Sequence, residues 1–185
     1  MAETKSALTD EIRALIGVNA EKVQASLWGI EREDLRRFTQ AIMDPDPRYW
    51  DEAFAKTTKF GKIITPPIYC TYLGRKTPPG EDDPITRAFR ENPNSDGIGG
   101  VRENIRGALP PVPTHLKRIL NAGNEIELYK YPTLGDTIFS QARYADIKER
   151  VSRDGARMLI VTTETTYTNQ DGDVLCVLRA SGIRR

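Results

Sequence analysis

Apolar residues recur along the chain with two different periods, and the change from one to the other divides it. Between residues 7 and 17, Leu8, Ile12, Leu15 and Ile16 share one helical face, and Gly17 supplies the stop. Residues 22–30 alternate weakly through Val23, Ala25 and Leu27, which predicts a first strand ending near Trp28-Gly29. The helical period returns from Arg32 to Met43. Leu35, Phe38, Ala41 and Ile42 form its apolar face, with Arg32, Arg36, Arg37 and Gln40 outward. Asp44-Pro45-Asp46-Pro47 ends that helix, because a residue before proline is pushed out of helical angles. A helix over 48–57 follows and is closed by Phe60-Gly61; Pro66 and Pro67 then open a third, with residues 68–73 as its body.

Residues 75–113 are rich in proline and charge and read as one long loop, serving binding or assembly or else simply mobile. Its Gly97-Ile98-Gly99-Gly100 follows no strand and lacks the Lys-Ser/Thr ending of a phosphate loop, so a plain glycine loop is expected. Beyond it the period becomes two. Residues 124–130 alternate, Leu134-Gly135-Asp136 is a turn, and residues 137–150 form a long strand. Gly155 turns that strand into 157–168, and the hairpin signal 169–173 leads into 174–183. Three long adjacent antiparallel strands after a helical region describe an α+β domain whose sheet packs one face on a helix.

Composition narrows the chemistry. At 185 residues the chain is most simply one domain, spanning 1–185. Its 27 Lys and Arg against 26 Asp and Glu give a net charge of +1, which suggests neither nucleic acid nor an anionic membrane as partner. No apolar run is long enough to span a bilayer, and the N-terminus leads into an amphipathic segment rather than a signal sequence, so a cytoplasmic location is expected. Cys70 and Cys176 are expected to be buried free thiols. One histidine, His115, and no cysteine pair at ligand spacing leave no metal expected, and no nucleophile motif points to His115.

The remaining candidate chemistry is concentrated where helix, Asp-Pro loop and helix meet. Strand, helix, Asp-Pro loop, helix and long meander together resemble the MaoC-like hydratase/dehydratase family. Within it the chain looks like the FAS1-like (N-terminal MaoC-type) dehydratase domains. The pieces that carry the resemblance are 38–51, 60–67, 131–137 and the hairpin 155–179. The family implies a hot dog fold, an antiparallel sheet wrapped around a central helix. It also implies an Asp/His pair that moves water across the double bond of an enoyl thioester, within a pattern Asp-x-Asn-Pro-(Ile/Leu)-His-x-Asp.

In that frame Asp44 stands at the catalytic aspartate, Asp46 at the asparagine and Tyr49 at the histidine, and Thr65-Pro66-Pro67-Ile68-Tyr69 replaces a later His-Gly. Losing the histidine matters, because hydration needs a second proton-transfer group suited to neutral pH. Histidine titrates at about 6.5 unaided; tyrosine sits near 10, several steps of about 1.4 kcal/mol away. The simplest account is a degenerate half-site that shapes the acyl pocket beside a partner retaining the pair. Asp44 is then either a residual catalytic or water-positioning carboxylate or a turn residue, and Asp46 a turn former. Tyr49 and Trp50 either pack or line the acyl pocket, as substrate-binding candidates with Asp46, Pro66, Pro67 and Tyr69; His115 is an exposed or capping residue.

The expectation is a subunit of an (R)-specific enoyl-CoA hydratase or 3-hydroxyacyl-thioester dehydratase of acyl-CoA and fatty acid metabolism. It would bind a coenzyme A or acyl carrier protein thioester, need no cofactor, and pair with a MaoC-like catalytic subunit. The alternatives are a self-sufficient homodimeric hydratase or other thioester-acting hot dog enzyme, and a non-catalytic acyl-thioester binding module.

Overall fold

A computed structural model describes residues 6–73, 79–95 and 107–185. Its centre is a five-stranded antiparallel sheet in the order β1-β3-β4-β5-β2. The strands are β1 (Val23–Gln24), β2 (Ile119–Leu128), β3 (Phe139–Val151), β4 (Arg157–Thr168) and β5 (Val174–Arg184). The three long strands expected from the two-residue period are present and adjacent, and β4 spans the predicted residues. The first strand is far shorter than 22–30: only Val23 and Gln24 pair, against Ser140 and Phe139. Beyond them the chain leaves the ladder, with the amides of Ala25 and Ser26 both donating to the Ile138 carbonyl.

Alternation along the strands gives the sheet one covered face. Toward the loop end, Ile138, Tyr167, Leu175 and Cys176 meet Leu35, Ala55, Ile63, Tyr69, Cys70 and Leu73 in the main core. Toward the other end, Tyr144, Ile147, Leu159 and Val161 meet Ala7, Ile12 and Val112. The buried helix is α4 (Tyr69–Leu73); Tyr69 and Cys70 have no exposed surface. Its Cys70 thiol donates to Cys176 of β5, and that bond, with burial adding to it, pushes the Cys70 thiol up. Both cysteines are free, as expected, but they lie side by side and link helix to sheet. This is the hot dog arrangement.

The other helices differ from expectation in instructive ways. The first, α1, is only Asp10–Arg13, capped by the Thr9 side chain. The second, α2 (Arg32–Ala41), buries Leu35 and Thr39 and packs Phe38 edge-on against Tyr69 and at a tilt against Tyr72, but Ala41 and Ile42 are exposed. Its last turn leaves the core to feed the loop. The expected helix 48–57 splits into a 3-10 turn at Pro47–Tyr49 and α3 (Glu52–Thr57). Trp50 is a turn residue between them, and Asp51 caps α3 by accepting the Phe54 amide at 3.0 Å. Within 75–113, expected to be loop, Asp83 caps the helix α5 (Pro84–Glu91) through the amides of Ile85 and Thr86. The Gly97–Gly100 stretch lies outside the described residues.

Candidate functional site

The Asp-Pro loop begins with a helix ending that positions its first carboxylate. Met43 adopts a left-handed φ of 55°, and the amide of Asp44 donates to Thr39 O at 3.0 Å while that of Met43 donates to Gln40 O at 3.1 Å. This double bond pattern closes a helix with a left-handed residue just past its end, usually a glycine. Asp44 therefore leaves α2 at a fixed angle, half-buried, and accepts the Asp46 amide at 3.2 Å.

Asp46 does two jobs at once. It caps the 3-10 turn by accepting the Arg48 amide at 2.9 Å, and it receives the Arg48 guanidinium through Nε at 2.8 Å and through Nη2. The guanidinium holds the Asp46 carboxyl below the usual carboxylate range, ahead of the opposing effect of burial. Arg48 was not among the residues singled out from sequence, although acid and base two positions apart across Pro47 is a readable signal. Tyr49 is buried. Burial first, then the charges of Asp44 and Asp46, pushes its phenol up from the ordinary value. It remains a protonated phenol at neutral pH, able to donate a hydrogen bond but not to act as base.

The loop is tied down from two directions. The Arg48 carbonyl accepts the Ile64 amide at 3.3 Å, and Pro132 O accepts the Thr65 amide at 2.9 Å. Phe60 meets Tyr131 edge-on at 5.0 Å. Through these contacts the segments 44–51, 60–67 and 131–133 form one assembly at the C-terminal end of β2. Trp50 is 53% exposed, with its indole N–H on Pro45 O at 3.4 Å. Pro66 is buried and Pro67 half-buried at the start of α4.

Tyr69 sits inside the core, and its hydroxyl is buried with no hydrogen-bond partner among the described residues. A cleft lined by Leu27, Trp28, Ile30, Glu31, Asp34 and Leu73 opens between the segment after β1 and the end of α4. His115 is exposed, two residues before the basic pair Lys117-Arg118 and at the other end of β2 from the loop. Among the described residues no cluster of three or more His, Cys, Asp or Glu could hold a metal.

The sequence matches the model of the FAS1-like dehydratase domain region over residues 14–178. The chain belongs to that family. Among solved structures it is similar to one from the ChsH1-ChsH2 complex of Mycobacterium tuberculosis, with a TM-score of 0.67 at 12% identity, covering 95% of this chain and 89% of that one. It is also similar to a MaoC-like dehydratase from Rhodospirillum rubrum, with a TM-score of 0.56 at 18% identity and coverage of 92% and 93%. A third is the C-terminally truncated HadBC (3R-hydroxyacyl-ACP dehydratase) complex of Mycobacterium tuberculosis, with a TM-score of 0.55 at 16% identity and coverage of 91% and 96%. At these identities the likeness is one of fold. No curated protein matches the sequence. None of the helices formed by the described residues is long and apolar enough to cross a membrane.

Proposed function

We propose that this protein is the substrate-binding half of an (R)-specific enoyl-thioester hydratase or 3-hydroxyacyl-thioester dehydratase, working beside a MaoC-like subunit that carries the complete Asp/His pair. One observation carries the reading. The loop keeps the hydratase frame, with Asp44 half-buried at its head, while the residues at the asparagine and histidine positions of that frame offer no free base. Tyr49 holds its proton, and Asp46 is committed to Arg48. A single carboxylate can neither activate water and protonate the α carbon together nor replace a group that titrates near neutrality.

The sheet supports a paired state. The strand β2 forms one end of the strand order, and its residues are mostly exposed on both faces, Ile119 and Leu120 among them. A strand of this length with one open edge is a template for another chain's edge. Two of the similar structures are of complexes, ChsH1-ChsH2 and HadBC. The acyl group would be carried as a coenzyme A or acyl carrier protein thioester. Its own carbonyl acidifies the α proton, so no redox cofactor or metal is required.

The test follows loss of the enoyl-thioester absorbance with the chain alone and with a MaoC-like protein encoded beside it. Turnover only in the mixture is expected. Robust turnover by the chain alone would replace this reading with a self-sufficient hydratase, and tight acyl-thioester binding with no turnover in either case would make it a binding module.

A further inference from the structure

Two tyrosines reach into the two halves of the core, and the fold treats their hydroxyls differently. Tyr144, in the cluster far from the loop, donates to Pro110 O at 2.7 Å. Tyr69 opens α4 with no exposed surface and packs its ring edge-on against Phe38 at 5.0 Å, yet its buried hydroxyl has no partner among the described residues. An unpaired hydroxyl in a core costs stability that phenylalanine at the same place would not. Packing alone therefore does not account for a tyrosine there.

The charges that act on the hydroxyl show which way it lies. Burial first, then the charge of Asp34 and after it those of Tyr72 and Glu31, pushes the Tyr69 phenol up. It stays protonated at neutral pH and can donate. Asp34 and Glu31 both line the cleft between the segment after β1 and the end of α4, so the hydroxyl lies on the cleft's side of the core. Leu73, one turn on from Tyr69 along the same helix face, belongs both to the core cluster and to the cleft wall. Ser26 lines the cleft as well. Its buried hydroxyl accepts the Ile138 amide at 2.9 Å and donates to no described residue. Two buried hydroxyls beside one cleft thus keep a proton to give.

The rest of the lining says what they could give it to. Leu27, Ile30 and Leu73 make apolar walls, and Trp28, 61% exposed, stands at the lip. Glu31 and Asp34 line the cleft and no Lys or Arg does, among the described residues. A carboxylate ligand would find no cation there. A neutral oxygen suits it: a carbonyl can accept from both hydroxyls, and an alcohol can accept from one of them and donate to a carboxylate. The cleft holds about 260 Å³, part of it open to solvent, which is room for the tip of a chain. It lies at the opposite end of α2 from the Asp-Pro loop, and the ten residues of that helix span about 15 Å. A thioester seated beside the loop would reach the cleft only with the far end of its acyl group.

We infer that the cleft receives the far end of an acyl group bearing a neutral oxygen, an alcohol or a carbonyl, and that Tyr69 donates to that oxygen when Leu73 turns aside. This rests on the thioester reading above and adds to it a substrate class, acyl thioesters oxygenated at their distal end.

Calorimetry on the full chain compares dodecanoyl-coenzyme A with its ω-hydroxy and ω-carboxy derivatives. The wild type is expected to bind the ω-hydroxy thioester at least ten-fold more tightly than either of the others. Tyr69→Phe keeps the ring and removes the hydroxyl. It is expected to bind the plain and ω-hydroxy thioesters equally, with its affinity for the plain one unchanged and its melting temperature level or higher.

Equal wild-type affinity for the plain and ω-hydroxy thioesters, or a preference that survives in Tyr69→Phe, would overturn the inference and leave the thioester reading standing. Tighter binding of the ω-carboxy thioester would overturn the neutral oxygen. A lowered melting temperature in Tyr69→Phe would show the hydroxyl to be satisfied inside the fold and overturn the inference too. Binding of none of the three would remove the thioester reading, and the inference with it.

Discussion

Three side chains in one turn decide what the loop can do. Arg48 is the one whose removal separates structure from chemistry. Its ion pair lowers the pKa of Asp46 in the folded state, so the pair adds stability above the unfolded carboxylate value and loses it as pH falls through the folded one. Arg48→Ala should therefore cost about 1 kcal/mol at pH 7, because the pair is only partly shielded from water. The difference from wild type should begin to shrink near the ordinary carboxylate value of about 3.9 and vanish only below the lower, folded-state value. Thermal unfolding across pH 2.5–7 reads both results. Met43 gives the opposite sign. It holds a left-handed φ with its side chain in water, so Met43→Gly should raise stability by about 0.5–1 kcal/mol and the melting temperature by a few degrees, by calorimetry.

At the scale of elements, the close approach of Gly29 to the turn at Gly135 fixes where α2 begins. A Cβ on Gly29 would stand 2.7 Å from Gly135 O, while Ile30 donates to Asp136 O and accepts from Gly135 N, both at 2.9 Å. Backbone faces backbone there and cannot swing aside, so Gly29→Ala should cost about 1–3 kcal/mol in chemical denaturation.

The same elements show what a sequence discloses. The strands β3, β4 and β5 were legible because each is more than ten residues long and the turn signals at Gly155 and 169–173 mark where one passes into the next. The short β1 was overread, because its chain leaves the ladder after two residues, where the amides of Ala25 and Ser26 share the Ile138 carbonyl. The helix α5 was missed because its apolar residues are few and exposed, Ile85 and Phe89 among them, and its proline opens the helix rather than breaking it. The loop's frame was visible as a motif. The Asp46–Arg48 pair, the raised Tyr49 and the closeness of Cys70 to Cys176 needed coordinates, since each depends on burial or on contacts across the fold.

At the scale of the whole molecule, two features argue for assembly: the incomplete site that abuts the C-terminal end of β2, and the exposed outer edge of that strand. That edge is the surface to disturb. Arg118 exchanges its hydrogen bonds with Arg185, so the amide of the next residue, Ile119, points away from β5 toward the open edge. Ile119→Pro should leave the inner ladder intact and the monomer's circular dichroism unchanged. Its association with a MaoC-like subunit should weaken by at least ten-fold in sedimentation velocity. Unaltered association would place the interface elsewhere. The central claim, that Asp44 is a relic of the hydratase frame and the partner does the chemistry, is met most directly by Asp44→Asn in the reconstituted complex. A kcat within about three-fold of wild type is expected there; a fall of 100-fold or more would make Asp44 a catalytic residue and contradict the account.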